Sequence, residues 1–232
     1  MINALIIAGG VGERTGNRVP KQFLNVFDKP IIIYTLEAFQ KHKEVDSITV
    51  VCLDGWQEFL RTYCLQFGIS KLASVVEGGE NGQNSIFKGI TDIATRCNGD
   101  DLVIIHEANR PLVSDEVISD SVRVCKKFGG AVAAIPCNDA MLHINEPTVA
   151  TSHIPRETLV KGQNPHTFRL GKLLWAHEQA KEWGIMNSVA TSTLMVELGE
   201  TLHLSVGSEK NFKITTNEDI EIFKAILRSG MK

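Results

Sequence analysis

The residues with the most chemical content open the chain: Ala8-Gly9-Gly10-Val11-Gly12-Glu13-Arg14-Thr15-Gly16, closing on Pro20-Lys21-Gln22. They follow the apolar Leu5-Ile6-Ile7 and read as a glycine-rich loop after a first β-strand. Open α/β sheets bind their ligands at that end of their strands. Without a Cβ, glycines let backbone N–H groups approach an anion closely, and Arg14 and Lys21 add fixed positive charge. The combination suits the phosphates of a nucleoside triphosphate. Two better-known glycine loops are excluded. A P-loop ends in Gly-Lys-Ser/Thr, whereas Gly16 precedes Asn17 and Arg18. A dinucleotide fingerprint needs G-x-G-x-x-G running straight into a helix. Gly10, Gly12 and Gly16 miss that frame by one residue, and Val19-Pro20 opposes an early helix. An ordinary strand-to-helix connector explains the glycines but not the two cations beside them.

Four further clusters carry reactive groups. His106-Glu107-Ala108-Asn109-Arg110-Pro111 follows an apolar run; its carboxylate can bind magnesium or ribose hydroxyls, and Arg110 can brace it. His106 itself reads as a structural histidine. Ser85 follows Gly78-Gly79 at the predicted start of a helix, where a serine is most often a cap. Lys213, in Asn211-Phe212-Lys213-Ile214-Thr215, reads on composition as a lysine flanking a strand. Arg156, in Ile154-Pro155-Arg156, suits either a phosphate or a surface ion pair.

Taken in chain order over residues 1 to about 228, these pieces, with Gly162-Gln163-Asn164-Pro165, resemble the signature of the CTP-dependent alditol-phosphate cytidylyltransferases. That family includes the enzymes acting on ribitol 5-phosphate and on 2-C-methyl-D-erythritol 4-phosphate. The resemblance implies that Arg14 and Lys21 hold the triphosphate, with Lys21 facing the α-phosphate. Lys213 is then a second cation on the α-phosphate. Ala8, Gly9, Gly10, Gly12, Gly79, Ser85, Glu107 and Ala108 fall on the nucleotide side, Gly79 and Ser85 against the cytosine and Glu107 as a ligand of Mg2+. Arg110 and Arg156 fall on the acceptor side, Arg156 reaching into a neighbouring subunit's site. The chain also departs from the family. Glu107 stands where Asp is usual, Ala140 where Thr is common, and Val189-Ala190 near a Thr-Asp pair. Gly82 lies near an often basic position, and Asn164-Pro165-His166 replaces Thr-Pro-Gln. Ala190 and Ala140 therefore mark an altered acceptor side with the CTP machinery retained.

Composition narrows the class. A chain of 232 residues, 43% hydrophobic and 22% charged, is ordinary for one soluble domain. A formal net charge of −3 with scattered basic residues gives no footprint for a nucleic acid polymer. Five cysteines without a Cys-x-x-Cys pair argue against zinc and a disulfide framework. No apolar run approaches the ~20 residues of a membrane span, and no leader is evident, so a cytoplasmic protein is expected.

The elements that must position these groups alternate. Strands are predicted at residues 4–7, 47–53, 73–76, 101–106, 130–135 and 202–206. Helices are predicted opening at 31–39 and over 57–66, 85–95, 115–128, 170–182 and 217–228. This rhythm implies an α/β fold, a Rossmann-like mostly parallel sheet with helices on both faces, expected as a single nucleotidyltransferase domain over 1–232. It breaks at about 137–161, where residues 141–152 read as a projecting β-hairpin arm with Asn145-Glu146-Pro147 at its tip. Exposed edges of such an arm need cover; dimerisation is one way to supply it, and the resemblance implies a homodimer that exchanges arms, with a flap on its own monomer as the alternative. The expected function is transfer of CMP from CTP to ribitol 5-phosphate or a related linear alditol phosphate, giving a CDP-alditol and pyrophosphate. Such products feed surface polymers such as teichoic acids or capsules. The alternatives are the methylerythritol phosphate reaction of isoprenoid synthesis, a nucleotide-binding subunit without catalysis, and, on fold analogy alone, an NAD-binding oxidoreductase.

Overall fold

A computed structural model describes residues 1–10 and 19–230. Gly12 and Arg14 lie outside the described residues. The strand β1 (Ile2–Ala8) leads to a 3-10 turn at Lys21–Phe23 and a small ribbon of β2 (Asn25–Val26) and β3 (Lys29–Pro30). Then follow α1 (Ile31–Lys41), β4 (Ser47–Cys52), α2 (Gln57–Gln66), β5 (Leu72–Glu77), α3 (Gly82–Ala94) and β6 (Leu102–Glu107). The second half holds α4 (Asp115–Phe128), β7 (Gly130–Pro136), β8 (Met141–Glu146), β9 (Val149–Ile154) and β10 (Val160–Arg169). It ends with α5 (Leu170–Glu182), α6 (Thr191–Glu197), β11 (Leu204–Val206) and α7 (Asn217–Gly230).

Seven strands form one sheet in the order β11-β7-β10-β6-β1-β4-β5. All neighbours are parallel except β10, which runs antiparallel to both β7 and β6. The sheet is buried on both faces because its strands send alternate side chains to opposite sides. Ala4, Ile6 and Ala8 of β1 join Leu36 and Phe39 of α1 and Ile118 and Val122 of α4. Leu5 points the other way, to Ile90 and Ile93 of α3 and Leu173 of α5. Gly89 lets α3 lie against that face, since a Cβ there would sit 2.5 Å from Leu5 Cδ1 and 2.8 Å from Val51 Cγ2. A third cluster of Val26, Ile31, Ile214, Ile220 and Phe223 docks α7.

The sequence reading missed β10 and α6. The segment of β10 contains Gly162 and Pro165, both strand-weakening signals, and its register slips between Gly162 and His166 to accommodate them. The helix α6 is short and rich in Thr, so its local helix signal is weak. Strand β6 runs one residue further than predicted, so Glu107 ends the strand. The hairpin forms as expected, but Glu146 pairs with Val149. Its turn is therefore Pro147-Thr148, not the predicted Asn145-Glu146-Pro147. Both arm strands are exposed along their whole length.

Candidate active site

Two adjoining cavities open at the C-terminal ends of the parallel strands. One, of about 470 Å³, is lined by Ala8, Gly9, Gly10, Lys21, Gln22, Gly79, Ser85 and Ala108 among others. Its neighbour, of about 380 Å³, is walled by Arg110, Gln163, Asn164, His166, His177 and residues 188–194, Ala190 among them. Ile7, Gly82, Glu107 and Lys213 border both cavities. A group held at Glu107 and Lys213 therefore stands between two binding spaces.

The first cavity is built by close backbone approach. The Gln22 amide donates to the carbonyls of Ala8 at 2.7 Å and Gly10 at 3.0 Å, bracing the entry to the glycine loop. Lys21, beside it, is buried against the same wall. Across the cavity, Gly79 donates its N–H to Ser85 Oγ at 3.0 Å. No other residue fits at Gly79, where a Cβ would come within 2.7 Å of Asn84 Cβ and 2.9 Å of Ser85 N. The helix cap is Asn81, whose side chain accepts from Asn84 N at 2.8 Å. This corrects the reading of Ser85 as a cap: it lies in the first turn of α3 and steadies the Gly79 turn.

At the shared wall, Glu107 accepts from the Lys213 ammonium on Oε1 and from Arg110 Nε on Oε2, the latter at 2.8 Å. Burial pushes the Glu107 carboxyl up, but Lys213 and Arg110 overcome it and hold the group below the ordinary carboxylate range. The carboxylate is thus charged at neutral pH. Lys213 reaches it because the 211–215 segment is pinned to the end of β6. Asn109 Nδ2 donates to Ile214 O at 2.8 Å and Ile214 N returns to Asn109 O at 2.9 Å. Arg110 Nη1 also donates to Asn211 O at 2.8 Å. Gln22, Asn109 and Asn211 fall within the motifs read from the sequence but carry no reactive chemistry of their own, so no role was assigned to them there; their part is to fix Lys21, Lys213 and the loop edges.

His106 is fully buried, lies 3.0 Å from the Arg110 carbonyl, and is pushed down to about 4 by burial. That agrees with a neutral structural histidine. Ala190 lines the second cavity, but Ala140 and Arg156 line neither. Arg156 sits at the foot of the arm, donating to Asn138 O at 3.2 Å and lying 3.5 Å from the Glu157 carboxylate.

A glycine-edged turn, a buried lysine and a cation-paired carboxylate at the strand ends of an α/β sheet suit an enzyme that handles an anionic, phosphate-bearing ligand. Residues 2–229 match the family model of IspD, 2-C-methyl-D-erythritol 4-phosphate cytidylyltransferase. A ribitol-5-phosphate cytidylyltransferase of Lacticaseibacillus paracasei is 40% identical over 230 residues, 98% of each chain. A 2-C-methyl-D-erythritol 4-phosphate cytidylyltransferase of Geotalea uraniireducens is 36% identical over 98% of this chain and 97% of its own. The fold is that of the 4-diphosphocytidyl-2C-methyl-D-erythritol synthase of Anaerococcus prevotii, with a TM-score of 0.80 over 98% of both chains at 22% identity. The chain belongs to the IspD family of cytidylyltransferases, and it is an enzyme of the nucleotidyltransferase class.

Proposed function

We propose that the enzyme transfers CMP from CTP to ribitol 5-phosphate or a related linear alditol phosphate, releasing pyrophosphate. The carrying observation is the pair of adjoining cavities with Glu107 and Lys213 on both walls. The glycine-edged cavity takes CTP and the second takes the acceptor, so the α-phosphorus falls at the shared wall. An acceptor phosphate oxygen attacks it, a new P–O bond forms, and the bond to the bridging oxygen of pyrophosphate breaks. Lys21, Lys213 and Arg14 offset the charge that develops on these oxygens, the step where fixed cations lower the barrier most. Glu107 aims Lys213 and, through Arg110, sets the floor of the acceptor space.

No group of three or more His, Cys, Asp or Glu that could hold a metal occurs among the described residues. Magnesium nonetheless fits here, because it is commonly bound by one or two carboxylates and the substrate phosphates together. Glu107 would be the protein ligand, and the ion would neutralise triphosphate charge. The acceptor assignment is supported by the 40% identical relative named for ribitol 5-phosphate. It is supported too by a cavity wall of Ser188, Val189, Ala190 and Thr191, which offers no carboxylate.

The arm adds a partner to this reading. Met141, Leu142, Ile144, Val149 and Ile154 are all exposed on it, a concentration of exposed apolar side chains that suits a protein interface. A homodimer exchanging arms would cover them and deliver Arg156 and Ala140 to the partner's acceptor cavity. The test is pyrophosphate release with CTP and magnesium across ribitol, arabinitol, xylitol, mannitol, glycerol and methylerythritol phosphates. Turnover led by ribitol 5-phosphate is expected. Turnover confined to methylerythritol phosphate would move the enzyme to isoprenoid synthesis, and CTP binding without any turnover would leave a nucleotide-binding subunit.

A further inference from the structure

Most polar side chains around the second cavity are already committed. The Gln83 amide donates to Ile185 O at 2.7 Å and its carbonyl accepts from Ser188 N at 2.8 Å, tying down the loop that carries Val189 and Ala190. Gln163 is spent in the same way on Ser208, at 3.0 and 3.1 Å. Arg110 is divided between Glu107 and Asn211. These groups shape the walls and have little left to offer a ligand.

Two lining residues differ. His177 on α5 and Thr191 at the start of α6 are 7% and 3% exposed. Their Nε2 and Oγ1 atoms are buried without a hydrogen-bond partner among the described residues. Native proteins rarely leave such atoms unpaired, since burial removes their water without putting a partner in its place. The imidazole of His177 is held by a stacked contact with Phe87, centroids 5.3 Å apart, so it is placed and not merely trapped. Burial pushes it down to about 4, and a neutral imidazole offers one donor and one acceptor. Ile86, Ile105 and Leu194 give the same lining its apolar part, and Ser192 and Thr193 add neutral hydroxyls beside Thr191. A neutral ring and a hydroxyl among uncharged neighbours are matched to alcohol groups, each of which both donates and accepts, and not to a phosphate.

We propose that His177 and Thr191 read hydroxyl groups on the carbon chain of the acceptor and so select a linear, fully hydroxylated polyol phosphate. This rests on the assignment of the second cavity to the acceptor. Sites built to hydrogen-bond a substrate hydroxyl reject analogues that lack it, because the buried partner is then left unpaired.

The experiment compares ribitol 5-phosphate with ribitol phosphates lacking one hydroxyl at each position in turn, for the wild type, Thr191→Val, Thr191→Ser and His177→Phe. The wild type is expected to lose roughly tenfold or more in kcat/KM with at least one deoxy acceptor. Thr191→Val and His177→Phe should lose a similar factor on ribitol 5-phosphate, each becoming indifferent to the loss of one particular hydroxyl. Thr191→Ser should recover most of it. The KM for CTP should stay constant throughout, since neither residue lines the nucleotide cavity. Variants that keep ribitol kcat/KM within twofold, or keep the full discrimination against every deoxy acceptor, overturn this inference and leave the enzyme's assignment standing. A wild type that turns over no linear alditol phosphate overturns that assignment and this inference with it.

Discussion

At Glu107 a single carboxylate is gripped by two cations, and the consequence differs for each partner. Removing the charge with Glu107→Gln leaves Lys213 unaimed and takes away the carboxylate proposed to hold magnesium. A fall in kcat of about a hundredfold is expected, with a higher magnesium concentration needed for half-maximal rate. Lys213→Ala and Lys21→Ala should each cost about 10²–10³ in kcat, read by pyrophosphate release at saturating CTP. An effect confined to the KM for CTP would instead make them simple binding residues. Lys21 was legible because it sits beside glycines in the sequence. Lys213 was not legible from its neighbours, since its partner lies 106 positions away and only the resemblance marked it.

The helix α3 and the turn before it show how an element converts sequence into a binding wall. Gly79 and Gly89 lie on its two sides, the first facing the glycine-edged cavity and the second the sheet. Gly89→Ala should overpack Leu5 and Val51 and cost about 1–3 kcal/mol, seen as a melting temperature lowered by several degrees with KM values unchanged. Gly79→Ala should do the reverse. The added Cβ meets backbone at Asn84 and Ser85, so the turn must open, and a KM for CTP raised at least tenfold is expected with a smaller thermal shift. The helices other than α6 were readable because their apolar positions recur at helical spacing. The strand β10 was not, because its place between β7 and β6 depends on pairing partners outside the segment.

Over the whole molecule, stability is tied to pH through buried imidazoles. His106, His166 and His177 are each pushed down to about 4 by burial, against an ordinary 6.5. Between those values the unfolded chain binds more protons than the folded one, so stability falls as pH drops from about 6.5 towards 4. Glu107, held low in the folded state, adds loss in the same direction. Melting temperatures measured from pH 7.5 to 4.5 should decline below about 6.5; a flat profile would mean that the three rings are solvated. The arm belongs to this scale too. Replacing residues 141–154 by a short turn should yield a monomer by light scattering, with acceptor turnover lost and CTP binding kept, because the nucleotide cavity contains no arm residue.

The alternating rhythm of strands and helices outside β10 and α6, the glycines and cations that follow β1, and the projecting arm were all legible in the sequence alone. Each is encoded in spacing over a few residues: alternation within a strand, a helical period, glycines beside cations. The tertiary structure decided what required distant segments to meet. It brought the 211–215 segment onto the end of β6, so that Lys213 and Glu107 face both cavities. It slid an antiparallel strand into a parallel sheet, and it turned His177 and Thr191 from unremarkable helix residues into buried polar groups beside the second cavity. No local pattern encodes those placements, because each is set by which surfaces of the folded chain come into contact.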